Sequence, residues 1–220
     1  GIMEVIICSI DTVDTGRIVV LDSTDGSVIK EIAGPDCRSF VPGLGDVNND
    51  GAIEIIFGSD NGTIWAYSIE SGNPLWAFQS GDTVSSSPTI ADINNDGESE
   101  VIIGSNDGVL YVLYGSNGSV YWEYAVGSSI VSTPIVYDVN YDGILDVVVG
   151  TLGGELIAFS FSSGYVVWQG LSSDQYFHRT NVYNWANGTY IKWLTNINGS
   201  IFSAAAVGDI NYDNKLEVYE

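Results

Sequence analysis

Four nine-residue stretches in this chain are variations of one another. "DVNNDGAIE" begins at Asp46, "DINNDGESE" at Asp92, "DVNYDGILD" at Asp138 and "DINYDNKLE" at Asp209. The first two intervals are 46 residues; the last is 71, which is one repeat plus an insertion of 25. Other positions keep the same register. Pro42, Pro88 and Pro134 each stand four residues before a stretch, and Gly58, Gly104 and Gly150 each stand four residues after its last acidic position. Trp76, Trp122 and Trp168 recur at 46, and Lys30 holds that place in the first unit. A fixed period of this length means one supersecondary unit stacked on copies of itself.

The unit reads as four short β segments. In the second copy they are "SSPTIADI", "EVIIG", "VLYVLYG" and "SVYWEYAV", separated by "NNDG", "SNDG" and "GSNGS". Asn-Gly and Asp-Gly between apolar runs mark hairpins, because these residues tolerate positive φ. β-branched and aromatic residues fill the segments, and no stretch sustains a helical period. Four antiparallel strands per unit of this size form the blade of a β-propeller. A β-sandwich is the alternative, but it has no need to repeat its sequence.

The expected fold is therefore all-β: a propeller of four-stranded antiparallel blades, with residues 1–220 as one domain or propeller fragment. Complete blades are expected at about 39–80, 85–126 and 131–170, by the repeat register. The N-terminus (about 2–33) supplies the last three strands of a blade, and the C-terminus supplies a first strand, a loop and the start of a second. Closure within the chain, end-to-end joining between chains and membership of a larger ring all remain open. "KLEVYE" and "IMEVII" occupy the same slot of the repeat, which argues against simple closure into four blades.

Lys and Arg number 6 against 28 Asp and Glu, a formal charge of −22. Such a field repels nucleic acid and anionic membrane surfaces and suits cations. The 45% hydrophobic content excludes a disordered acidic tail. No apolar run approaches the ~18 residues of a membrane span, so membrane insertion is not expected. The chain opens "GIMEVIIC", without an initial Met and already inside a strand-like run, as a processed or partial chain would. Cys8 and Cys37 are its only cysteines; a disulfide and two separate thiols both fit.

The acidic stretches follow D-x-N-x-D-G-x-x-[DE]. Oxygen side chains at positions 1, 3, 5 and 9 can converge on one point, with Gly at position 6 making the turn and position 7 offering its carbonyl. That set of hard oxygen ligands suits Ca²⁺. The candidate ligands are Asp46, Asn48, Asp50, Ala52 and Glu54; Asp92, Asn94, Asp96, Glu98 and Glu100; Asp138, Asn140, Asp142, Ile144 and Asp146; and Asp209, Asn211, Asp213, Lys215 and Glu217. Up to four Ca²⁺ ions are expected. An EF-hand requires Glu at position 12, where Phe57, Ile103 and Val149 stand instead. The competing reading is a polar hairpin turn without metal. Four copies with oxygen side chains at all four positions favour calcium, because three carboxylates in nine residues repel one another without a cation. In the fourth loop Asn214 replaces Gly at position 6, a substitution the left-handed region tolerates.

"GDVNNDGAIEIIFG" and "YDVNYDGILDVVVG" resemble the FG-GAP, or integrin-alpha-like, propeller repeat. The resemblance covers nearly the whole chain outside the insertion. It implies calcium in the loop between the first and second strands of each blade. Glu54, Glu100 and Glu217 depart from the Asp usual at position 9, and Asp146 fits it. "AYSIESGNPLWAFQSG" in turn resembles the tryptophan-docking motif of quinoprotein-like propellers through Ala66, Gly72, Trp76 and Gly81. The tryptophans are expected to pack between blades rather than bind quinone.

Residues 172–197, "SSDQYFHRTNVYNWANGTYIKWLTNI", break the repeat and read as an inserted hairpin. Its aromatic residues with Arg179 suit a contact surface, or a fold-back onto the propeller itself. Asn61, Asn117, Asn187 and Asn198 open sequons, so glycans are expected if the protein is exported; each also supplies the Asn-Gly of a hairpin. A single histidine, His178, and the absence of a Gly-rich phosphate loop leave no nucleophile–base constellation. The expected function is a non-enzymatic, extracellular or cell-surface calcium-binding propeller with a structural, adhesion or self-assembly role and a protein partner or itself as partner. The alternatives are a fragment of a propeller enzyme, such as a quinone-dependent dehydrogenase or polysaccharide lyase, and a carbohydrate-binding propeller.

Overall fold

The computed structural model describes residues 4–10, 16–34, 41–139, 141–160, 166–171, 178–183, 190–195, 206–208 and 217–219; from 166 onward the backbone alone is described. Among the described residues there are nineteen elements, and all are strands. β1 (Glu4–Ile10), β2 (Gly16–Asp22) and β3 (Val28–Ala33) form a three-stranded sheet. Three four-stranded blades follow. The first is β4 (Gly43–Gly45), β5 (Glu54–Gly58), β6 (Thr63–Ser68) and β7 (Pro74–Gln79). The second is β8 (Thr89–Ala91), β9 (Glu100–Gly104), β10 (Val109–Tyr114) and β11 (Val120–Ala125). The third is β12 (Ile135–Tyr137), β13 (Asp146–Gly150), β14 (Glu155–Ser160) and β15 (Val166–Leu171). β16 (His178–Tyr183) and β17 (Tyr190–Thr195) form the inserted hairpin, and β18 (Ala206–Gly208) pairs with β19 (Glu217–Tyr219).

Every pairing is antiparallel between consecutive strands, and the short first strands β4, β8 and β12 neighbour one another in turn. This is a β-propeller arrangement of stacked blades. The last strand of each of these four sheets carries a bulge at one repeated place, opposite Val20/Leu21, Ala66/Tyr67, Val112/Leu113 and Ala158/Phe159. A bulge adds local twist, which a radial stack of blades requires.

The second strands β5, β9 and β13 are buried on both faces, and the first and second blades each lie between two other sheets. Side chains alternate across a strand, so neighbouring residues enter different interfaces. Val101 and Ile103 pack toward the first blade, with Ile56, Ile64, Val84 and Trp76, while Ile102 packs toward the third, with Val147 and Val149. Ile55 and Phe57 face the N-terminal sheet, against Ile18 and Ile32. The apolar run after each acidic loop is thus the price of a two-sided core, not an alternating amphipathic strand.

At Gly58 and Gly104, which end the second strands of the first two blades, a close approach excludes a side chain. A Cβ at Gly58 would lie 2.2 Å from Val84 Cγ1, and one at Gly104 2.1 Å from Ile130 Cγ2. In the first two blades the segment leaving the blade passes over its second strand too closely for any side chain.

Blades are also clamped at their rims. Trp76 Nε1 donates to the Gly115 carbonyl of the next blade at 2.7 Å, with its ring over Gly118. Lys30 performs the same task one blade earlier. Its ammonium donates to the Ile69 carbonyl at 2.8 Å, and Ile69 is the repeat equivalent of Gly115. The tryptophan expectation holds for Trp76, and Trp122 packs on Phe159 of the third blade; the Trp168 side chain lies outside the described residues, as does Cys37.

Candidate metal centre

The acidic loops connect first and second strands: Asp46 to Glu54 between β4 and β5, Asp92 to Glu100 between β8 and β9, and Asp138 to Asp146 between β12 and β13. Each folds on the same frame. In the first, Asp46 accepts the N–H groups of Asp50 (3.2 Å) and Gly51 (2.9 Å), and Asp50 Oδ1 accepts the Ala52 N–H at 2.8 Å. The second repeats this with Asp92 accepting from Asp96 (3.0 Å) and Gly97 (2.9 Å), and Asp96 from Glu98 (2.8 Å). In the third, Asp138 accepts from Asp142 (3.1 Å) and Gly143 (2.8 Å), and Asp142 from Ile144 (2.8 Å). Side-chain-to-backbone bonds of this kind set a tight turn without a ladder partner.

Two positions per loop adopt the left-handed region. Position 6 is Gly51 (φ 87), Gly97 (φ 90) and Gly143 (φ 85), as the motif requires. Position 4 does so too, at Asn49 (φ 58), Asn95 (φ 61) and Tyr141 (φ 59). Sequence reasoning passed over this position; the asparagines there were its signal. Asn49 also reaches across to the next loop, where its Nδ2 donates to the Gly97 carbonyl at 2.9 Å.

The position 9 carboxylates anchor the loops from beneath. Glu54, Glu100 and Asp146 are all 0% exposed. Each accepts the N–H of position 2: Val47 to Glu54 (3.1 Å), Ile93 to Glu100 (3.1 Å), Val139 to Asp146 (3.0 Å). Burial pushes the Glu54 carboxyl above its ordinary range, and the Asp50 and Asp46 charges add to this against the Val47 N–H. Burial likewise pushes Glu100 up to about 7, opposed by the Ile93 N–H and assisted by Asp96 and Asp92. Carboxylates held this way without a counter-charge are costly to ionise.

Asp46, Asp50 and Glu54 come together, with one oxygen of each within 4.8 Å of the others. Among the described residues this is the one such group of three. Glu54 Oε1 is buried there with no hydrogen-bond partner. An orphaned carboxylate oxygen beside two further carboxylates fits a hard cation, and an all-oxygen donor set fits Ca²⁺. Within the same loop Asn48 Oδ1 accepts the Asp50 N–H at 2.9 Å, and its Nδ2 donates to Asp50 Oδ2 at 2.9 Å. Asn94 does the same with Asp96. An amide can present either its oxygen or its nitrogen from one position, and only the oxygen can ligate a cation. Ala52, Glu98 and Ile144 join their loops through the N–H bonds given above. Asn140 and the fourth loop, with Asp209, Asn211, Asp213 and Lys215, lie outside the described residues, as does the Glu217 side chain.

Asn61 and Asn117 are exposed at hairpin turns, followed by Gly62 (φ 82) and Gly118 (φ 71). Asn187 and Asn198 lie outside the described residues.

Residues 10–133 and 60–191 match the family described as outer membrane protein assembly factor BamB. The chain belongs to this family. BamB from Moraxella catarrhalis is similar in fold, with a TM-score of 0.55 at 14% identity over 93% of this chain and 69% of that one. Saccharomyces cerevisiae Sqt1 has a TM-score of 0.62 at 15% identity, over 93% of this chain and 63% of that one. The computationally designed Ika8 protein has 0.60 at 14%, over 96% and 69%. At these identities the likeness shows the propeller fold and nothing finer. No relative was found among curated proteins. The BamB family model spans the blades and most of the inserted hairpin, and the docking tryptophans that suggested quinoprotein-like propellers fall within it. No helix among the described residues is long and apolar enough to cross a membrane.

Proposed function

We propose that this BamB-family propeller is a calcium-stabilised, non-enzymatic protein that works outside the cell or at its surface as a structural, adhesive or self-assembling element. The observation that carries the reading is the meeting of Asp46, Asp50 and Glu54, with Glu54 Oε1 buried and without a partner. A bound Ca²⁺ supplies positive charge to this point. Around it the chain does the positioning. Asp46 is held by two backbone N–H groups, Glu54 by the Val47 N–H, and Asp50 by the Ala52 N–H, so the donors converge without further ordering. The resemblance of the loops to FG-GAP repeats supports the same ion.

The loop clamps β4 to β5 and touches the next loop through Asn49, so the ion's effect is on the rigidity of the stack. Protein partners, including further copies, are the partner class favoured here, and the family's description as an assembly factor supports it. Thermal melting in calcium and in EDTA tests the reading. Calcium raises the midpoint through a stability gain of ~2.7 kcal/mol per site when the ion is at a hundred times its dissociation constant. An unchanged midpoint overturns it.

A further inference from the structure

The internal frame of the acidic loops repeats, but the contact between neighbouring loops does not. Between the first and second, Asn49 Nδ2 donates to the Gly97 carbonyl at 2.9 Å. The repeat equivalents between the second and third are Asn95 and Gly143. That bond is not made among the described residues, although Asn95 shares the left-handed backbone of Asn49 (φ 61 against φ 58). A cleft of about 510 Å³ opens there instead. It is lined by Asp92, Asn94 and Asn95 from one loop, Ile144 and Leu145 from the other, and Tyr121 from β11. At the first junction Leu75, Glu98 and Ser99 hold the places of Tyr121, Ile144 and Leu145, so it has neither the aromatic residue nor the Ile-Leu pair.

The lining accepts hydrogen bonds more readily than it gives them. The N–H groups of Ile93, Gly143 and Ile144 are already donated within their own loops, to Glu100, Asp138 and Asp142. The Asn94 amide is held at both ends by Asp96. Asp92 and Asn95 add acceptor oxygens. No Lys or Arg stands between Arg38 and Arg179, so the three complete blades bring no cationic side chain to the cleft. Even four bound Ca²⁺ ions, with eight positive charges against −22, leave the chain acidic. Ile144 and Tyr121 are both 37% exposed, and Tyr114 meets the Tyr121 ring edge-on at 5.0 Å.

We propose that this cleft binds an arginine side chain of a partner protein. A guanidinium group gives five N–H donors and accepts none, which matches a lining rich in acceptors. A neutral saccharide fits less well, because each of its hydroxyls asks for a donor as well as an acceptor. The aliphatic stem lies against Ile144 and Leu145, as long charged side chains do on apolar surface. Tyr121 supplies an aromatic face for the cation. Asp92 and the Asn95 side-chain carbonyl take the guanidinium N–H groups. Arginine seated in a pocket is a common anchor of protein interfaces. The site narrows the protein-partner reading above to a basic segment, and it works without the metal.

The test is an NMR titration of the full chain with acetyl-Gly-Arg-Gly-amide and with its neutral citrulline counterpart, in EDTA and again in calcium. The arginine peptide shifts the N–H signals of Asn95, Gly143 and Leu145 but not those of Asn49 and Gly51 in the first loop. The citrulline peptide binds at least about tenfold more weakly. Tyr121→Leu weakens arginine binding about two- to fivefold. Ile144→Lys puts a cation of the chain's own into the cleft and abolishes it, with unchanged signals elsewhere showing that the fold is kept. Equal binding of both peptides, or shifts spread evenly over all the acidic loops, overturns the proposal. So do shifts at the cleft with N-acetylglucosamine and none with arginine. Arginine binding in EDTA with no response of the loops to calcium supports the cleft and overturns the metal reading; a calcium response with no peptide binding does the reverse.

Discussion

Replacing Trp76 by Phe separates the clamp between blades from the bulk of the core. Trp76 is 8% exposed and its Nε1–H reaches the Gly115 carbonyl at 2.7 Å. Phenylalanine keeps a ring in the site but removes the donor, leaving a buried carbonyl without its partner at a cost of about 1–3 kcal/mol. The smaller ring also leaves space over Gly118, where packing is close, and lost contacts there add about 1 kcal/mol. The expected loss is about 2–4 kcal/mol, a large fraction of the stability of an ordinary domain. Urea unfolding followed by tryptophan fluorescence and circular dichroism gives the midpoint and slope for both proteins. A lower midpoint with an unchanged slope is the expected result. A loss below about 0.5 kcal/mol, the range of an ordinary surface substitution, refutes the clamp.

Gly118→Ala attacks the same contact from the other side: its Cβ would meet Trp76 Cε3 at 2.5 Å at a residue with φ +71, so a loss of about 1–3 kcal/mol is expected in the same urea assay. Glu54→Gln removes one of three converging carboxylates; calorimetric titration should show calcium affinity at that site falling at least about tenfold. The pH dependence has opposite signs in the two states. Without calcium, burial holds the Glu100 carboxyl at about 7, above its ordinary 4.5. The folded chain therefore keeps the proton longer than the unfolded one, and this contribution is full below pH ~4.5 and lost as pH rises through ~7. With calcium the ionised form is required, so stability gained from the ion rises over that interval. Melting curves from pH ~5 to ~8 in EDTA and in calcium check both slopes.

The repeat made the blades legible, because each of its landmarks answers to a physical demand of the stack. Gly58 was visible as a periodic residue, but its reason is Val84, 26 residues later in sequence and pressed onto it in space. Lys30 was visible as the misfit in the tryptophan column; only the fold shows that its ammonium and an indole N–H meet the same repeated carbonyl. The acidic loops were legible as oxygen-rich turns, since Asp, Asn and Gly at fixed spacing serve both turn and ligand chemistry. For Asn48, spacing specifies where the amide sits, not which of its ends faces the carboxylates. Position 4 escaped notice because the pattern marked it as free, and its constraint is in φ rather than in side-chain chemistry.

Native mass spectrometry of the chain, titrated with calcium after exhaustive chelation, counts the ions that the acidic loops hold. Stepwise uptake of calcium to as many as four ions per chain is expected, with Glu54→Gln removing one step. A spectrum that shows only the metal-free mass as calcium rises would leave the acidic loops as turns and contradict the calcium reading.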